Sequence, residues 1–151
     1  MTGFISSPTT RRLLLAGVVT VSQLMAPASM AGEPADSRVD LGFTPEEKAT
    51  FLADMRVMLG SVQQIMRGIS EGDREAIVEA AKRSGNRMAR ETPASIREKT
   101  PPEFKAIGGP MHLAFEEIVI RAETDPLEDI TALTAEAMNQ CMACHAQFRV
   151  D

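Results

Sequence analysis

Near the C-terminus the chain reads "CMACHAQFR", residues 141–149, in which Cys141 and Cys144 flank two residues and His145 follows at once. The chain has no other cysteine. Four chemistries use such a pattern: a disulfide, a dithiol redox pair, a zinc site and covalent haem. A disulfide across two intervening residues would constrain almost no chain entropy, because the stabilisation grows with loop length. A thioredoxin-like redox pair belongs to a βαβ setting, and the chain offers no strand candidate. A structural zinc site wants four ligands, and only His112 could join Cys141, Cys144 and His145. Cys-x-x-Cys-His is also the direct signal for covalent attachment of a c-type haem, and this is the reading the motif favours. The two sulfurs would hold the porphyrin edge by thioether bonds, and His145 would bind iron as the proximal ligand.

A haem attached in this way requires export, and the N-terminus is written for it. Residues 1–31 contain Arg11 and Arg12 and no acid, then an apolar run over 13–25, then "APASMA" ending at Ala31. Charged start, short apolar middle and small-residue exit describe a secretory signal peptide cleaved after Ala31. The run is too short for a membrane span, so the mature chain is expected in the periplasm without membrane insertion. Haem should meet the thiols after translocation, which favours threading of an unfolded chain over twin-arginine export. Cleavage removes two arginines from 16 basic and 21 acidic residues and leaves a formal charge of −7. That balance carries no electrostatic footprint for nucleic acid.

The elements that must position the motif are helices. Ala, Leu, Met, Glu and Arg are plentiful, strand formers are thin, and there are ten methionines but no Trp or Tyr. Residues 32–43 read as an extended segment before a single domain over 44–151. Thr44 as cap, Pro45 first and Glu47 third make a capping box. Behind it Leu52, Met55, Leu59, Val62, Met66 and Ile69 alternate by three and four, an apolar stripe for burial. Gly72 closes this helix, and Asp73 caps a second one reaching Glu91, with Ile77, Ala81, Ser84 and Met88 inward. Four prolines and a Gly-Gly pair over 92–110 predict a long connection with a short helix around Phe104. A third helix is expected over 110–123, with Phe115, Ile118 and Val119 inward. Asp125, Pro126 and Glu128 repeat the capping signal for a fourth helix. Its buried side would carry Ile130, Leu133, Ala137, Cys141, Cys144, His145 and Phe148. The expectation is an all-α fold, an antiparallel four-helix bundle with the haem motif on its last helix.

A C-terminal Cys-x-x-Cys-His on the last helix, continued as Ala146, Gln147, Phe148 and Arg149, resembles the cytochrome c prime family and its low-spin relatives, the class II c-type cytochromes. The resemblance spans the mature chain in helix order, including "DMRVML" in the first helix. It implies that Cys141 and Cys144 carry haem c, that His145 binds its iron, and that Arg149 screens the proximal side. Phe148 fits ordinary core packing equally, and Arg149 fits a solvated charge favoured by the helix dipole. The family places its distal residue in the first helix, as an apolar blocker or a methionine. Met55 lies on the inward stripe at that depth, Met58 is displaced from it by roughly 60°, and Met66 lies about 16 Å beyond Met55 at the helical rise. Met88, Met111 and His112 also belong near the haem-bearing end. An arginine often precedes the distal residue by one turn in the family. Phe51 stands there in this chain, with Arg56 after Met55, so the basic partner of the haem propionates stays open. His112 reads as a hydrogen-bonded histidine rather than a ligand.

Two functions follow from the resemblance. With His145 and Met55 both on iron, the protein would be an electron carrier serving redox partner proteins, its potential set by axial ligands and burial. With an open distal side it would bind nitric oxide or carbon monoxide. Neither is an enzyme, since the chain shows no paired carboxylates or nucleophile–base set. Family members often dimerise through their first helices, which leaves a homodimer open to this chain.

Overall fold

The computed structural model describes residues 35–151, so the expected signal peptide lies outside the described residues. Six helices form there: α1 Pro45–Glu71, α2 Arg74–Lys82, α3 Asn86–Glu91, α4 Ala94–Lys99, α5 Pro102–Arg121 and α6 Leu127–Gln147. Two two-residue strands, β1 Val39–Asp40 and β2 Phe148–Arg149, pair in parallel. The fold is all-α, with one small strand pair that the sequence pattern did not announce. Among the described residues no helix is long and apolar enough to cross a membrane.

The start of α1 forms as its sequence dictates. Thr44 Oγ1 accepts from the Glu47 amide at 3.3 Å, and Glu47 Oε2 accepts from the Thr44 amide at 2.8 Å. Lys99 Nζ also donates to Glu47 Oε2 at 2.5 Å, tying α4 to this cap. At the other end Gly72 takes a left-handed φ of 68°, which glycine adopts without steric cost. Asp73 then caps α2, its carboxylate accepting from the Ala76 amide at 2.9 Å.

Three boundaries differ from expectation, each for a tertiary reason. The single helix expected from Asp73 to Glu91 breaks at Ser84 and Gly85 into α2 and α3. Glu116 of α5 enters the gap, where its Oε1 accepts from the Asn86 amide at 2.7 Å. A Cβ at position 85 would collide with that carboxylate. Second, α5 starts at Pro102 rather than near Pro110, and Pro110 sits inside it. An interior proline forfeits one helical hydrogen bond. The helix carries that loss because Met111, Phe115 and Ile118 bury themselves just beyond it. Third, Asp125 does not cap α6, because Arg121 Nε donates to its Oδ2 at 2.6 Å. The ion pair takes the carboxylate that a capping box would need, and Pro126 occupies the cap position.

The face of α1 turned to the core is also rotated from the expected stripe. Met58, Ser61, Val62, Ile65 and Gly68 are buried, whereas Leu59 is 70% exposed and Met66 43%. Small and polar groups decide this register. Ser61 accepts from the Ser84 hydroxyl at 2.8 Å across to the end of α2. Gly68 lets Ile77 approach so closely that a Cβ would sit 2.7 Å from its Cγ1. Met58, expected off the inward face, is therefore in the core.

Packing runs from α1 to α2, α2 to α5, α5 to α6 and α6 back to α1. Ile65, Ile77, Phe115, Ile118 and Ile130 meet at the centre with no exposed surface. Phe115→Ala should cost about 3–5 kcal/mol, as large-to-small aromatic changes in cores do. Chemical denaturation would show this as a lower midpoint with an unchanged slope.

Candidate functional site

Cys141, Cys144 and His145 occupy the last two turns of α6, where the helix gives way to β2. That end is held by residues far away in sequence. β1 pairs Val39 with Phe148 and Asp40 with Arg149, and the Leu41 amide donates to the Arg149 carbonyl at 3.1 Å. Arg149 Nε donates to the Arg38 carbonyl at 3.3 Å, and Arg38 Nη1 donates to the His145 carbonyl at 3.3 Å. Arg38 is itself fixed by Asp36, with Nη2 to Oδ2 at 2.6 Å. These hydrogen bonds hold the Asp36 carboxyl down at about 2. The N-terminal segment thus forms a strap across the end of α6.

Four of the six phenylalanines line up at the same end of the molecule. Phe43 to Phe51, Phe51 to Phe104 and Phe104 to Phe148 stand at centroid separations of 5.1, 5.9 and 5.4 Å. Such tilted and edge-on contacts suit aromatic pairs, and here they link the strap, α1, α5 and β2. A cavity of about 240 Å³ opens among them, bordered by Phe51, Leu52, Met55, Phe104, Cys144, His145 and Phe148, with Arg38 and Arg149 at its edge. A second, of about 270 Å³, adjoins it, with Phe51, Met55 and Phe104 lining both. It takes in Met58, Met88, Met111 and His112.

The candidate residues therefore separate by position. Cys144, His145, Met55, Phe148 and Arg149 converge on the first cavity. Cys141 is half-buried against the core and lines neither cavity, its Sγ lying 3.5 Å from the Ala137 carbonyl. Met58 borders only the second cavity. Arg56 is exposed and borders neither cavity. Arg149 lines the cavity but also pairs with Asp151 and anchors the strap. His112 Nδ1 lies 2.8 Å from the Ser84 carbonyl, so the proton is on that nitrogen and the ring acts as a donor, as its sequence context implied. Met66, Arg38 and Phe104 illustrate what periodicity can and cannot see: Met66 lies away from the site as expected, whereas Arg38 and Phe104 reach it through the fold alone.

Both cysteines are free thiols. Burial pushes the Cys141 thiol up, and burial together with Cys141 pushes Cys144 up to about 11. Near neutral pH both are protonated and poor nucleophiles, since the thiolate is the reactive form. Burial also raises the Asp54 carboxyl beside the second cavity, against the opposing pull of His112. Among the described residues no three His, Cys, Asp or Glu side chains are arranged to hold a metal ion. A thiol, an imidazole and a thioether thus border one aromatic-walled space, with a second thiol, Cys141, one turn back along α6. Comparison with protein-family models, curated proteins and solved structures finds no match to this chain.

Proposed function

We propose that the chain is an exported electron carrier, an antiparallel four-helix bundle holding one haem c through Cys141 and Cys144. His145 and Met55 would hold its iron. One observation carries the reading: Met55 from α1 and Cys144 and His145 from α6 border a single cavity walled by Phe51, Phe104 and Phe148. The donor set fits the group. Thiols suit thioether attachment, imidazole and thioether suit iron, and the aromatic walls suit a porphyrin face. The bundle reading is supported by the closed cycle of helix contacts and by the short turns after α1 and α5, which favour antiparallel neighbours.

Bound haem supplies reversible one-electron chemistry at its iron. The chain's residues then have three tasks. His145 and Met55 would supply an imidazole and a thioether to hold the iron, which would leave no open place there for a substrate. Phe51, Phe104 and Phe148, which wall the cavity, would exclude water from the ring, and that burial would tune the potential. Arg38 holds the His145 carbonyl and so the end of α6 in place. Attachment would take place on the newly exported chain in the periplasm, before the fold closes over the two half-buried thiols. A redox partner protein would receive the electron.

A gas-binding alternative draws on the second cavity, which Met55 also lines but His145 does not. Visible spectroscopy separates the two. The haem-loaded protein should be low-spin in both oxidation states and should bind carbon monoxide slowly in the ferrous state. High-spin spectra with immediate carbon monoxide binding would replace the electron-carrier reading with the gas-binding one.

A further inference from the structure

The second cavity has an apolar body and a cationic mouth. Met58, Ile96 and Met111 are buried along its wall, while Arg97 of α4 and Lys105 of α5 line it and are exposed to solvent. Among the described residues neither Arg97 nor Lys105 has a carboxylate partner. In a chain with 21 acids and 16 bases that is a surplus in one spot. The cations of the first cavity are already committed, Arg38 to Asp36 and Arg149 to Asp151. Asp54 borders the second cavity too, but the charges acting on it are those of His112 and Glu91.

Two unpaired cations on the cavity next to the one bordered by Cys144 and His145 suit the carboxylate edge of a ligand whose apolar body lies in that first cavity. Haem has that shape, a hydrophobic ring with two propionates. Resting on the haem reading above, we propose that Arg97 and Lys105 receive the haem propionate carboxylates. Arg97 can meet a carboxylate bidentately and Lys105 as a point charge. The shared wall of Phe51, Met55 and Phe104 places their cavity beside the one bordered by Cys144 and His145. Both cations offset propionate charge near the iron and so favour the reduced state.

The test uses the full chain matured with haem. Arg97→Gln with Lys105→Gln should lower the reduction potential by about 59 mV, a tenfold shift of a one-electron equilibrium. The carboxylate bands of the propionates in redox-difference infrared spectra should move as well. Arg97→Lys with Lys105→Arg should restore most of both signals, and Arg67→Gln, on the far part of α1, should change neither. A fully loaded double variant with unshifted potential and unmoved propionate bands would overturn the proposal. If the parent chain takes up no haem, the haem reading itself fails, which is a separate outcome.

Discussion

Replacing Cys141 and Cys144 together by alanine should take the protein from one covalently bound haem per chain to none. Matured in a host that attaches haem, the parent chain should have the mass of a polypeptide starting near Gly32 plus one haem. The haem should survive acid–acetone extraction, because thioether bonds withstand it. Either single substitution should leave one thioether and an extractable fraction between these limits. Neither thiol supports the fold strongly: both are half-buried, Cys141 packs at the margin of the core, and their one hydrogen bond is the long one from Cys141 to the Ala137 carbonyl. The double variant should therefore keep its helical circular dichroism, which separates lost attachment from lost structure. The apo chain has no Trp or Tyr and should absorb little in the near ultraviolet, so loading is visible by eye and by spectrum. A colourless parent chain of unmodified mass, or one still carrying residues 1–31, would defeat attachment or export respectively.

Local chemistry was legible in the sequence wherever one segment settles its own geometry. Thr44, Pro45 and Glu47 form the cap their spacing requires, and Gly72 and Asp73 turn the chain where glycine and aspartate should. The interior of α5 and α6 was legible in part: Phe115, Ile118, Ile130 and Ala137 carry a helical period and are buried. His145, expected on the buried side of α6, is exposed, and Thr134 takes a core place instead. What could not be read depends on a partner from elsewhere. The break at Gly85 needs Glu116 from another helix, and Asp125 abandons its cap for Arg121. The core face of α1 is set by Ser61 and Gly68, which a search for large apolar residues passes over. The strap was legible only as an extended segment over 32–43, because a two-residue strand is recognised only by the strand it meets. Arg38 and Leu41 reach the site through that pairing. The aromatic line was half-legible: four phenylalanines near one end are visible in hindsight, but their contacts join segments far apart in the chain.

Rotation of α1 makes Met55 and Met58 the sharpest pair to compare. Met58 is 6% exposed and lies in the core, yet only Met55 borders the cavity that Cys144 and His145 share. Met55→Ala should abolish the weak sulfur-to-iron band of the ferric protein in the far red. It should open the distal position and let ferrous protein bind carbon monoxide quickly. The reduction potential should fall by on the order of 100 mV, within the roughly 0.8 V that axial ligands span, because methionine opposite histidine raises it. Met58→Ala should behave in the opposite way: spectrum and carbon monoxide binding preserved, stability reduced by about 2–5 kcal/mol for a buried methionine. Met55→Leu distinguishes ligation from packing, since it keeps the volume and removes the sulfur, and it should match Met55→Ala in spectrum but not in stability. A ligand-loss spectrum from Met58→Ala with Met55→Leu unchanged would move the distal ligand one turn along α1 and leave electron transfer intact. Unchanged low-spin spectra in both variants would remove methionine from the iron and direct attention to His112, whose Nδ1 is held by Ser84.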